Sequence, residues 1–115
     1  MPTRDGLIAR VTARVHAPAT PEGAAAVGLA VDAAVDFVAW ITGADPLAAV
    51  PRPALVDTGL EAFAVRLYLD PSAPSGALGV VGDIDGQFGA VPSPEDLYRH
   101  VHHYFDHLAV SWGFA

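Results

Sequence analysis

The chain has 115 residues, enough for one compact domain with a modest core and too few for two. It contains no cysteine, which excludes disulfides, thiolate nucleophiles and cysteine-based zinc sites. Its six basic side chains, all arginine, face thirteen acids for a net charge of −7. That balance is unsuited to gripping nucleic acid, where affinity comes from cations that neutralise phosphates.

The charge is unevenly spread. Arg4, Arg10 and Arg14 outweigh Asp5 over residues 1–20, and the remainder of the chain is strongly acidic. The N-terminus lacks the cationic-then-apolar order of a secretory leader. Residues 4–16 carry two patterns at once. Leu7, Ala9, Val11, Ala13 and Val15 alternate as in a strand, while Leu7, Val11 and Val15 also fall at i, i+4 and i+8 as on a helix. Propensity does not choose between them.

Thr20-Pro21-Glu22 is a helix start: a hydroxyl at the N-cap, proline at the first helical position and an acid in the first turn. Val27, Val31, Ala34, Val35, Val38 and Ile41 give this helix an apolar face. Asp32 and Asp36 lie opposite, and Gly43 is placed to cap its end. The stretch Ala24–Ile41 is long and apolar, but each acid near a bilayer centre costs about 2.5–3.5 kcal/mol. Two of them, four residues apart, favour a soluble helix with one polar stripe. Phe37 and Trp40 widen the apolar surface, so the helix must be covered on more than one side, by its own domain or by a neighbouring subunit.

Prolines 46, 51 and 53 mark a connector, and a third helix is predicted from about Pro53 to Leu69. Val56, Leu60, Phe63 and Leu67 form its inner face, with Asp57 and Glu61 as its wet edge. Residues 71–92 are rich in glycine and proline and read as a long loop or loose hairpin. The arms are Leu78–Val81 and Gln87–Val91, and the tip is Asp83–Gly86. Loops of that length without a core are uncommon unless they bind something. Ser93-Pro94-Glu95-Asp96 resembles a capping box, and Leu97, Val101, Tyr104, Phe105 and Leu108 follow at helical spacing. The expected fold is mainly α: a small bundle of three to four helices in a single domain over residues 1–115. An extended glycine-rich loop or β-hairpin at 76–91 precedes the C-terminal helix.

Few residues suggest chemistry. Asp96, His100, His103 and His107 share one stripe of that last helix, and His103/His107 have the i, i+4 spacing of a metal grip. They lack the intervening glutamate of zinc-protease helices, and the only histidine on another segment is His16. A solvated polar face or a pH-sensitive contact accounts for them more simply. Asp83-Ile84-Asp85 fails as a calcium loop, because glycine and glutamate are missing where an EF-hand needs them. Gly79–Gly82 has no lysine with which to cradle phosphate, and no serine sits in a nucleophile elbow. The acid pairs Asp32/Asp36 and Asp57/Glu61 read as wet helix faces rather than acid–base machinery. Trp40 and Trp112 read as core or interface anchors. No catalytic, cofactor-binding or metal-binding residue is assigned, and the chain is not expected to be an enzyme.

The order of segments carries a resemblance. An opening helix precedes an alanine- and valine-rich helix, Thr20–Thr42. A proline-led third helix contains Ala64-Val65-Arg66-Leu67-Tyr68, and a Ser-Gly-anchored glycine-rich stretch, Ser72 to Asp83, follows. Over about residues 3–90 this resembles the head–tail connector family of long-tailed bacteriophages, also called head-to-tail adaptors or head completion proteins. The resemblance favours a helix at 4–16. The histidine-rich segment from Ser93 departs from the family pattern, which is usually more polar and strand-like there.

The resemblance implies a structural virion protein of the head–tail neck, assembled in the host cytoplasm. It would form a homo-oligomeric ring, commonly twelve-fold, that contacts the portal protein and a downstream neck or tail protein. DNA would pass through the channel without sequence-specific binding, and no membrane would be involved. Two contacts are expected on this basis: Arg10 and Arg14 against an acidic face of the next subunit, and residues 76–91 against portal, neighbour or channel. A different reading makes the chain a small cytosolic α+β domain that binds a ligand or metal. Residues 6–16 would then be a strand, and the C-terminal histidines would be ligands. A helical regulatory dimer would call for a basic DNA-reading helix, and none is present.

Overall fold

A computed structural model of the chain describes residues 3–69 and 94–109. Among these residues every regular element is a helix. The first, α1 (Arg4–Val15), opens on Thr3, whose Oγ1 accepts a hydrogen bond from the Gly6 amide at 3.1 Å. It closes on His16 in the left-handed region, with the His16 amide donating to the Thr12 carbonyl. Leu7 and Val11 are fully buried while Ala9 and Ala13 are exposed. The helical stripe therefore prevails over the alternation, and the strand at 6–16 required by the α+β reading is not formed.

α2 (Pro21–Thr42) has the expected ends. Thr20 Oγ1 accepts from the Gly23 amide at 3.0 Å, and Gly43, at φ 74°, donates to the Ala39 carbonyl. Gly23 is required by space, because a Cβ there would overlap the Pro18 carbonyl where the chain enters the helix. By length and hydropathy α2 could span a bilayer. Here it is the central helix, with nine of its residues buried against α1 and α3.

The connector is held locally. Thr42 Oγ1 donates to the Val38 carbonyl at 2.7 Å and accepts from Ala44 at 3.2 Å, while Asp45 accepts from the Leu47 amide at 2.9 Å. α3 (Pro53–Leu69) then returns along α2, bringing Phe63 beside Phe37. All four residues expected on its inner face, Val56, Leu60, Phe63 and Leu67, are buried.

The expected C-terminal helix is not continuous. Residues Pro94–Tyr98 form a short α4, a turn follows, His102–Tyr104 make one 3₁₀ turn, and Asp106–Ala109 form α5. Val101, Phe105 and Leu108 still face inward. The break follows from aromatic packing on a segment whose histidine, valine and aromatic residues have modest helix propensity. Tyr98 stacks on Phe105 at 5.9 Å and meets both Phe37 and Phe63, at 5.4 and 5.7 Å. Tyr104 sits over Gly59 of α3, where a Cβ would overlap the tyrosine's own Cβ and lie 2.7 Å from Phe105 Cζ. The loop or hairpin expected at 76–91, the capping Ser93 and Trp112 lie outside the described residues.

Candidate functional site

The residues that suggested chemistry are dispersed by the fold. His107 Nε2 donates to the Pro51 carbonyl at 2.9 Å, which fixes its tautomer. His103 packs on the Tyr104 ring at 4.2 Å, His100 is exposed, and His102, outside the expected stripe, bridges to Asp106 at 3.1 Å. Asp96 lies 3.7 Å from Arg99. No three histidines or acids are grouped to hold a metal among the described residues.

Three of the four paired acids, Asp32, Asp57 and Glu61, are taken by arginines of the same chain. Arg4 takes both oxygens of Asp32, at 2.7 and 3.0 Å, and this hydrogen bonding holds the Asp32 carboxyl below its ordinary range against the opposing effect of burial. Arg10 spans Asp57 and Glu61, and Arg14 reaches Glu61 at 3.1 Å. The hydrogen bond to Glu61 leads in raising the Arg10 pKa further. The arginine face expected to meet a neighbouring subunit therefore closes α1 onto α3. These carboxylates were close enough to the arginines to pair, but they lie 47 and 51 residues away in sequence. A pattern read along one chain cannot distinguish pairing within a copy from pairing between copies.

What remains is a surface. The outward side of α2 presents Ala25, Leu29, Ala33, Asp36 and Trp40 at spacings of four, four, three and four, all exposed. Leu29 is 50% exposed and Trp40 67%. Near the C-terminal end of this face, Ala33, Asp36, Phe37, Trp40, Leu67 and Pro94 line an open groove of about 330 Å³. The rings of Trp40 and Phe37 meet in an edge-type contact at 5.8 Å, and Asp36 is the only charged residue of the lining among the described residues. At the other end Leu29 borders a second open cleft, between α1 and α2. Side-chain patterning indicated the breadth of this face through Phe37 and Trp40. It gave no sign of the groove, which depends on Leu67 and Pro94.

Comparison of the chain with known protein families, with curated proteins and with solved structures gives no match. The functional reading rests on this surface and on the order of the helices.

Proposed function

We propose that the chain is a structural virion protein: one copy in the ring that joins the portal at the capsid vertex to the phage tail and continues the DNA channel. The observation that carries this reading is the uncovered apolar face of α2, with Leu29 and Trp40 half or more exposed on a helix already buried on its other side. Large apolar side chains left exposed along one helix face favour a protein contact. The segment order resembling head–tail connectors supplies the kind of assembly, and the acidic balance suits a channel that DNA traverses without adhering.

The test is light scattering of the purified chain, alone and mixed with the portal protein of the same phage, together with mass spectrometry of purified particles. The expected result is a ring-sized complex on the portal and the chain in stoichiometric amount in particles. A chain that ignores the portal and is missing from particles overturns the reading.

A further inference from the structure

The groove beside Trp40 has a specific chemistry. An exposed indole and a carboxylate at a mouth whose other described residues are apolar suit a guanidinium on an aliphatic stem, which can stack on the ring while its fork pairs with Asp36. Asp36 has no ion-pair partner among the described residues.

The same chain carries a matching surface. Four of the six arginines are in ion pairs within the chain, which leaves Arg52 and Arg66. Arg52 sits on the connector. Arg66 is exposed on α3, near the exposed Thr58 and Leu69, while Ala62 and Val65 between them are partly buried against the core. Leu69 is 47% exposed, and the Thr58 hydroxyl donates to the Ala54 carbonyl. The outward face of α2 thus carries a lone acid, and the exposed part of α3 around Leu69 carries a lone cation. They lie on different helices of one molecule and have opposite charge.

We infer that the Trp40–Asp36 groove receives Arg66 of a second copy of this chain, with the exposed Leu69 and Thr58 of that copy's α3 seated against the outer face of α2. The inference rests on the self-associating reading proposed above and names the two faces that meet. Because the faces differ, the contact is head-to-tail and leaves one of each free at every step, as closure by rotation requires.

The experiment is sedimentation velocity on the full chain and on Asp36→Arg, Arg66→Asp and the variant carrying both. Each single reversal places like charges together and is expected to weaken association about tenfold or more. The double reversal restores complementarity and is expected to return association to within about threefold of the wild type. A mixture of the two single variants is expected to associate better than either alone. Both side chains are exposed, so thermal melting should stay near that of the wild type. If a reversal does unfold the chain, Asp36→Asn and Arg66→Gln carry the same test at smaller amplitude. Wild-type assembly that both single variants leave unchanged, or a loss the double variant fails to restore, overturns this pairing and leaves self-association standing. A wild-type chain that remains monomeric at millimolar concentration also overturns it, while the portal and particle measurements decide the virion reading independently.

Discussion

The two sides of α2 are made of similar residues and end in opposite surroundings. On the inner side Val27, Val31 and Val38 are 0–1% exposed between α1 and α3, whereas on the outer side Leu29 and Trp40 are 50% and 67% exposed. The difference lies in partners rather than composition: three helices can surround only part of a fourth surface, and the apolar residues continue past it. Covering a large apolar side chain is worth roughly 1.5–3 kcal/mol, and association costs roughly 4–15 kcal/mol in lost freedom. Two side chains therefore do not hold a partner by themselves. A contact here needs the whole stripe, a matching apolar face and a charge pair.

The contrast is broken most severely by placing the same charge on each side. Val31→Asp buries an unpaired carboxylate and is expected to remove more than about 4 kcal/mol, enough to unfold a domain of this size, as circular dichroism would register. Trp40→Asp on the outer side is expected to cost less than about 1 kcal/mol of stability, read by thermal melting, and to abolish whatever self-association the wild type shows by light scattering. A Val31→Asp chain that melts like the wild type would mean that the inner side is not a core.

The next effect tests where covering stops. Gly59→Ala pushes Tyr104 and Phe105 off α3 and is expected to destabilise by about 1–3 kcal/mol in denaturant titration. Arg10→Ala opens the α1–α3 seam, and its partly exposed pairs set the expected loss at about 0.5–1 kcal/mol, smaller still in high salt.

The effect confined to the narrowest conditions is a pH dependence. Burial first, and the Asp106 charge second, push the Tyr98 phenol up to about 12. In the unfolded chain the phenol ionises near its ordinary value of about 10. Stability from this group is therefore complete below pH 10 and is lost as the pH rises from about 10 towards 12. The melting temperature should fall less steeply over that window in Tyr98→Phe than in the wild type.

Much of the fold was legible because its punctuation is local. Thr20-Pro21 and Gly43 bound α2, and Pro53 opens α3, by requirements of one or two residues each. α1 was ambiguous in its apolar pattern, although Thr3 and Asp5 already formed an N-terminal signal that could have decided it. The break in the C-terminal helix was not legible. Leu97, Val101, Phe105 and Leu108 keep helical spacing through it, and its cause is the meeting of Tyr98 and Phe105 with an aromatic pair from α2 and α3. The candidate surface was half legible. Trp40 was marked as exceeding one stripe, but the pairing of Arg10 and Arg14 with Asp57 and Glu61 of the same chain was not seen, and the groove needs residues 94 and 67 brought to α2.

The seat of Tyr104 on Gly59 has a mechanical consequence. Where a glycine meets the root of a tyrosine there is no compressible side-chain layer, so a displacement of α3 by more than a few tenths of an ångström must carry the 102–105 turn with it. The ring resonances of Tyr104 are thus a built-in strain gauge, positioned to register any load applied to the third helix from outside.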